Sequence, residues 1–109
     1  MSVESAREVF ETHMPHRFQD KPDSISGIKA SYKFVLSGDN GGTWVVDLTG
    51  AAPTIREEDT AAQCTITMAA KDLVSVVNGS MNPQMAFMTG KLKVAGDMGL
   101  ALKLSNILS

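Results

Sequence analysis

Apolar residues at the start of the chain follow a helical period. They recur at spacings of three and four and are Val3, Ala6, Phe10, Met14 and Phe18. This pattern predicts an amphipathic helix over residues 2–18. Ser2 is a suitable N-cap. Pro15 predicts that the helix kinks or ends near His13, because proline lacks the backbone N–H that continues a helix.

From Ile28 the apolar period changes to two, which predicts half-buried β-strands. The first strand has an inward face of Ile28, Ala30, Tyr32, Phe34 and Leu36. The glycine-rich sequence at 37–42 predicts a hairpin turn. Two further strands have Trp44, Val46 and Leu48, then Cys64, Ile66 and Met68, on the same side. A short strand is predicted around Thr54–Glu57.

The second half predicts two short helices, a strand and a final helix. The first helix covers Ala70–Val77 and stops at Asn78-Gly79. The second covers about 83–89, with Asn82 as N-cap and Pro83 at the first helical position. Period two over Lys91–Ala95 predicts another strand, with Leu92 and Val94 inward, and Met98–Leu108 forms the last helix. The order of elements predicts an α+β domain with the helices on one face of the sheet.

The final helix has more apolar surface than a single core needs. Its apolar residues are Met98, Leu100, Ala101, Leu102, Leu104, Ile107 and Leu108, and they cover more than half of the circumference. A helix that packs on a core needs a stripe a little over 100° wide. Methionines, whose flexible side chains suit varied shapes, cluster at positions 81, 85, 88 and 98. The extra apolar arc is therefore predicted to face a ligand, a membrane or a partner.

Length and composition limit the class of protein. A chain of 109 residues predicts one domain, 1–109. The net charge of −2 argues against nucleic acid as a partner. Residues 81–109 carry Lys91, Lys93 and Lys103 against Asp97, so this third is positive. That charge favours, weakly, transient contact with an anionic membrane surface.

Other candidate chemistry is sparse. His13 and His16 could form half of a metal site, but no third ligand is in view, so we expect no metal. Cys64 is the single cysteine and lies on the apolar face of a strand, which indicates a buried thiol. The glycine-rich turn has no lysine at phosphate-loop spacing. We expect no cofactor.

Four separated segments resemble one known family. They are TWVVD (43–47), CTITM (64–68), MNPQMAF (81–87) and GKLKVAGDMGLALKL (90–104). In this order they closely resemble the sterol carrier protein 2 domain, also called the non-specific lipid-transfer protein. The likeness spans roughly residues 3–108 and is densest from Thr43 to Leu104.

The resemblance implies a five-stranded, mostly antiparallel sheet covered on one face by helices, with a hydrophobic tunnel between the layers. It also implies a carrier that holds fatty acids, fatty acyl-CoA, phospholipids or sterols without covalent chemistry. The final helix would then be a wall or lid. On this reading the residues predicted to line the tunnel are Trp44, Leu48, Ile66, Met68, Leu73, Val77, Met85, Phe87, Met88, Leu92, Val94, Met98, Leu102 and Leu104. Gln84 is the candidate that orients the lipid head group.

The two ends of the sequence give an expectation for the cellular location of the protein. No apolar leader or membrane span is visible, and the chain ends Asn-Ile-Leu-Ser rather than in a Ser-Lys-Leu-like peroxisomal signal. A cytoplasmic setting is therefore expected. The oligomeric state and the physiological lipid stay open.

Two other functions remain as alternatives. A small α+β enzyme acting on a steroid-like or lipid-like substrate would need a carboxylate and a phenol in its cavity. Tyr32 could supply the phenol, but Asp47 has the opposite strand phase to Trp44 and should face solvent. The third possibility is a lipid-presenting or dimerisation module of a larger enzyme, with the wide helix as its interface.

Overall fold

The computed structural model describes residues 4–20, 28–38, 41–50, 53–96, 98–101 and 103. The helices are α1 (Ala6–Glu8), α2 (Met14–Asp20), α3 (Ala70–Val77), α4 (Pro83–Met88) and α5 (Met98–Ala101), and a π-helical stretch, Val9–His13, joins α1 to α2. The strands are β1 (Ser31–Ser37), β2 (Gly42–Asp47), β3 (Thr54–Arg56), β4 (Cys64–Ala69) and β5 (Leu92–Gly96). The predicted order of elements is confirmed.

The five strands form one mixed sheet in the order β3-β2-β1-β4-β5. Three of the pairings are antiparallel, and β1 with β4 is parallel. The prediction of a five-stranded, mostly antiparallel α+β sheet is therefore confirmed. The parallel pair needs a long crossover, since a tight hairpin can join antiparallel neighbours only.

The connection from β1 to β4 runs through β2 and β3, and its last segment, directly before β4, is bonded to β1. Lys33, which points outward from β1, pairs with Asp59 at 2.7 Å. The backbone N–H of Ser31 donates to Gln63 Oε1 at 3.0 Å, and the N–H of Gln63 donates to Ser31 Oγ at 3.2 Å. These bonds hold the segment before β4 against β1.

The inner face of the sheet is apolar in rows that cross the strands. One row pairs residues across all strands and consists of Ile55, Val46, Tyr32, Cys64 and Gly96. The next row consists of Trp44, Phe34, Ile66 and Val94. The predicted inward residues of β1, β2 and β4 are all buried. Strand phase was predictable because a one-residue slip would expose every one of them.

The N-terminal helical segment, residues 6–20, covers the β1–β2 half of this face. Phe10 stacks on Trp44 with a centroid distance of 4.9 Å and meets the edge of Phe34 at 5.3 Å. The residues it buries are Ala6, Val9, Phe10, Met14 and Phe18. Its apolar face is therefore used for packing on the sheet.

Two details of this segment correct the sequence prediction. The helix begins at Ala6 with Ser5 as N-cap, whose hydroxyl accepts from the Glu8 N–H at 3.3 Å, and Ser2 lies outside the described residues. The possibility that the helix ends near His13 is wrong, because helical structure continues to Asp20, while a kink there stays a prediction. The wider π-helical register directly before Pro15, in which the Met14 N–H donates to the Val9 carbonyl, accommodates a residue that cannot donate.

The α3–α4 region follows its sequence signals. Helix α3 spans the predicted Ala70–Val77 and ends at Asn78. Asn82 caps α4, with its Oδ1 accepting from the Gln84 N–H at 2.8 Å. Most of the predicted final helix lies outside the described residues, and its described start is α5.

Candidate functional site

The inner sheet face beyond the N-terminal helical segment is the candidate site. Strands β4 and β5 lie there, with α4 and α5 packed beside them. Six residues predicted to line a tunnel are buried. Leu73 lies on α3, and the other five lie in or directly beside the strands: Trp44, Leu48, Ile66, Met68 and Leu92. They place a continuous apolar surface across the sheet.

The border of this layer is less enclosed. Val77 and Val94, two more predicted lining residues, are half-buried and pack against the core. Met81 and Leu100 have the same environment, although the sequence did not mark them as lining. These four half-buried residues lie on α3, in the turn before α4, on β5 and on α5.

Helix α4 turns its large apolar side chains outward. Met85, Phe87 and Met88 are 56%, 45% and 78% exposed, while Ala86 is buried. Gln84 is exposed in the first turn. The sequence predicted all four larger residues as part of the site but did not identify which side of α4 faces the core. The small Ala86, flanked by Met85 and Phe87, is the available signal, because a short helix approaches a sheet most closely through a small residue.

The last three predicted lining residues lie at or beyond the limit of the described residues. Met98 begins α5, and its side chain lies outside the described part. Leu102 and Leu104 also lie outside the described residues. Their contact with a ligand stays a prediction.

A side-chain hydrogen bond joins α5 to the sheet. The Tyr32 hydroxyl donates to the backbone carbonyl of Leu100 at 2.7 Å. Tyr32 is fully buried, and its row in the sheet ends at Gly96, just before α5. The sequence predicted the inward direction of Tyr32 but not its partner, because nothing local to either residue encodes a contact across the domain.

Two partly open cavities lie beside the N-terminal helical segment. One, of about 550 Å³, is lined by Phe10, Phe18, Trp44 and Ile55 among others. The second, of about 500 Å³, lies between Ser5, Gly38, Ala70 and Val74 and their neighbours. Sequence periodicity did not indicate either, since both arise where separate elements meet.

The charged groups lie at the surface. The guanidinium of Arg7 lies 5.2 Å from the Trp44 ring centroid and bonds Glu57 at 3.0 and 3.1 Å, and this partner raises the pKa of Arg7. Hydrogen bonds from the Thr49 side chain and backbone N–H lower the pKa of Asp47. Among the described residues, no charged or polar residue is buried in the core.

The two histidines were the candidate metal ligands in the sequence, and Cys64 is its single cysteine. The described part of the chain contains no group of three His, Cys, Asp or Glu residues arranged to hold an ion. His13 Nε2 is buried there without a hydrogen-bond partner, and His16 is exposed. Cys64 is buried and forms no disulfide, as expected.

These features match a known family. Residues 11–109 match the SCP-2 sterol transfer family, and the chain therefore belongs to it. Sterol carrier protein 2 from Rattus norvegicus is 42% identical over 93 residues, which are 82% of this chain and 17% of that protein. Hydroxysteroid dehydrogenase-like protein 2 from Xenopus tropicalis is 42% identical over 88 residues, 79% of this chain and 21% of that protein.

The fold is also similar to that of a solved structure. The solution structure of sterol carrier protein 2 from Aedes aegypti in complex with palmitate, a C16 fatty acid, has a TM-score of 0.76. It is 25% identical, and the match covers 100% of this chain and 97% of that one. The chain spans only about a fifth of the longer relatives it matches. Its predicted one-domain organisation stays a prediction.

Proposed function

We propose that this domain is an intracellular lipid carrier that holds one fatty acid, acyl-CoA, phospholipid or sterol without forming a covalent bond. The observation that carries the proposal is the apolar inner face of the sheet, which runs from Ile55 to Val94 across all five strands. Membership of the family and the palmitate complex of the Aedes aegypti relative support the same function.

The proposed site lies over β4 and β5, under the final helix. Ile66 and Val94 pair across these strands and provide the floor. The Tyr32–Leu100 hydrogen bond fixes one end of the final helix, and Met98, Leu102 and Leu104 are proposed to complete the wall. Gln84, which is exposed in α4, would contact the lipid head group at the mouth of the proposed site.

Burial of the lipid chain supplies enough free energy. Each buried methylene contributes about 0.8 kcal/mol, so the roughly fourteen methylenes of palmitate give on the order of 11 kcal/mol. Lost rigid-body and chain freedom offsets a large part of this. The remainder corresponds to about micromolar binding or tighter. Because apolar burial is non-directional, we expect broad lipid selectivity.

A titration with palmitate tests this function. Leu104→Asp places a charge in the proposed wall and should weaken binding at least about tenfold, since a charged group under a lipid chain is costly to desolvate. Thr67→Asp is the matched control, because Thr67 is exposed on β4 and points away from Ile66 and Met68. Equal affinities of both variants and the unmodified chain would exclude the proposed site, provided that thermal melts show all three folded.

The alternative of a small steroid-directed enzyme has less support. Such an enzyme needs a free phenol and a carboxylate in its cavity. The Tyr32 hydroxyl donates to a backbone carbonyl, and none of the acidic residues in the described ranges is buried. We therefore propose a function without catalysis.

A second candidate is a lipid-presenting role within a larger protein. The low coverage of the two curated relatives, 17% and 21%, favours it, because their matching regions are small parts of long chains. Vesicle-to-vesicle transfer of a fluorescent fatty acid separates the two roles. A free carrier accelerates transfer, while a presenting module retains the lipid.

Location and partners are also part of the proposal. Within the described residues, no helix has both the length and the apolarity to cross a bilayer. We propose a cytoplasmic setting, no nucleic-acid partner, and transient contact with membranes where lipid is exchanged.

A further inference from the structure

We propose that the lipid site accepts fatty acids with a hydroxyl far from the head group, and that His13 Nε2 is the hydrogen-bond partner of this hydroxyl. This inference rests on the proposed carrier function. It adds a class of ligand, the hydroxy fatty acids, and a residue that selects this class.

His13 carries a polar atom that the fold covers but does not pair. Its Nε2 is buried and has no hydrogen-bond partner. Among the described residues, no other buried side-chain nitrogen or oxygen is in this state. A buried polar atom without a partner is costly, and in native proteins it calls for a specific explanation. The end of the imidazole therefore points into the protein, where an atom of a ligand can pair with it.

The backbone has an unusual register at this residue. The π-helical stretch runs from Val9 to His13, and the N–H of Met14 donates to the Val9 carbonyl. Such stretches are rare and occur frequently at functional sites. Val9 and His13 lie about one turn apart, so their side chains leave the helix on the same side. Val9 is fully buried, and the imidazole is therefore on a side of the helix that faces the protein.

This side of the helix faces the middle of the sheet rather than its β3 edge. Phe10 and Phe18 face that edge, since they line a cavity with Ile55 of β3. His13 is not among the residues that line this cavity. Helix α1 packs against α3, which directly follows β4. Because β3 and β4 lie on opposite sides of the β1–β2 pair, the flank with His13 faces β4 and the proposed lipid site.

A lipid that crosses the strands would have its two ends at different helices. Helix α4, which carries Gln84, packs against β5 at one edge of the sheet. Neighbouring strands are about 4.8 Å apart, so β5 and β1 are separated by about 10 Å, which is less than the length of an extended palmitate chain. With the head group at Gln84, the far part of the acyl chain therefore approaches His13.

A hydroxyl fits this position better than other lipid groups do. It both donates and accepts, so it can pair with Nε2 in either tautomer of a neutral imidazole. A carboxylate would bring a charge into a layer in which no charged side chain of the described residues is buried. An unsubstituted hydrocarbon chain would leave Nε2 without a partner. The ligand class that satisfies this atom is therefore a fatty acid with a hydroxyl near the far end of its chain.

Calorimetric titrations with palmitate and ω-hydroxypalmitate test the inference through the ratio of the two dissociation constants. The unmodified chain should favour ω-hydroxypalmitate on the order of fivefold. His13→Phe leaves the hydroxyl without a partner and should reverse the preference, to about tenfold in favour of palmitate. His13→Gln keeps a polar group at a similar reach and should restore part of the original ratio.

His16→Phe is the matched control, because His16 is an exposed histidine of the same helical segment. It should keep the ratio of the unmodified chain. Equal ratios in His13→Phe and His16→Phe would overturn the inference.

Nitrogen-15 NMR of the unmodified chain gives a readout that does not depend on a variant. Compared with palmitate, ω-hydroxypalmitate should shift the Nε2 resonance of His13 and leave that of His16 in place. Coincident His13 resonances in the two complexes would overturn the inference, since the hydroxyl would then have no contact with this nitrogen.

A sterol is the other source of a buried hydroxyl, and cholesterol with cholestane, which lacks the hydroxyl, tests it. If His13→Phe changes the ratio for the sterol pair but not for the fatty acid pair, the assignment to hydroxy fatty acids is wrong. If the unmodified chain binds both fatty acids and His13→Phe leaves their ratio unchanged, His13 does not select the ligand while the carrier stands. If it binds none of these lipids, the carrier proposal itself fails.

Discussion

The hydroxyl of Tyr32 in β1 donates a 2.7 Å hydrogen bond to the carbonyl of Leu100 in α5, across 68 residues of sequence. It joins the central strand of the sheet to the start of the final helix. The same carbonyl also accepts from the Lys103 N–H at 3.0 Å. One side chain thus fixes the position from which the proposed lid extends.

Loss of this hydroxyl should loosen the lid. Tyr32→Phe leaves the buried ring in place and removes a hydrogen bond that contributes about 1 kcal/mol to the free energy of unfolding. We expect a correspondingly small decrease in the free energy of unfolding measured by urea denaturation. We also expect faster dissociation of palmitate in stopped-flow measurements. Unchanged dissociation together with the stability loss would show that the bond serves the fold but not the lid.

Gly96 lies where strand β5 approaches the segment before β4 most closely. Its φ is +102°, and a Cβ there would come within 2.4 Å of the Gln63 carbonyl oxygen. Gly96→Ala should therefore lower the free energy of unfolding by about 3 kcal/mol or more, from strain and a backbone clash.

Gly90→Ala is the control for backbone strain without a clash. Gly90 has φ +82°, but a Cβ would meet nothing within 4 Å. This variant should lose only about 1–2 kcal/mol. If urea denaturation gives the two variants the same stability, the close approach at Gly96 is not a constraint on the fold.

The sequence predicted local faces well because burial imposes them. Period two from Ile28 to Leu36 allows only one strand phase once one face is covered. Asn82-Pro83 likewise marked the start of α4, since both residues suit a helix N-terminus. Such signals lie within a few residues of what they predict.

The features that the sequence did not specify are relations between distant elements. The parallel pairing of β1 with β4 depends on a crossover held by Lys33 and Asp59, 26 residues apart. Passage of the helix through Pro15 depends on a change of register and on packing against the sheet. The outward face of α4 depends on where Ala86 meets the core. None of these has a signature in one stretch of sequence.

Substitution of two phenylalanines should distinguish a side chain that packs in the core from one that is exposed at the surface. Phe10 is 1% exposed and lies between Trp44 and Phe34, so Phe10→Ala should lower the free energy of unfolding by about 3–5 kcal/mol. Phe87 is 45% exposed, and Phe87→Ala should change it by less than about 1 kcal/mol. Urea denaturation of both variants checks this. A large loss for Phe87→Ala would show that α4 packs against the chain instead of presenting its apolar face.

Asp47 should contribute stability that depends on pH. Hydrogen bonds from the Thr49 hydroxyl and N–H lower the pKa of Asp47 in the folded state, so folding favours the ionised form. That contribution is present above the unfolded pKa of about 3.9 and is lost as the pH falls through the lower folded pKa. Asp47→Asn should therefore be less stable than the unmodified chain at neutral pH, with the difference closing in acid. A difference that is constant with pH would contradict this, and Thr49→Val should reproduce part of the effect.

Native mass spectrometry of the chain mixed with palmitate tests the central claim most directly. The carrier account predicts a complex of one palmitate with one chain, which releases intact palmitate on collisional activation because no covalent bond holds it. A spectrum of the ligand-free chain alone, at palmitate concentrations well above the expected micromolar dissociation constant, would contradict it.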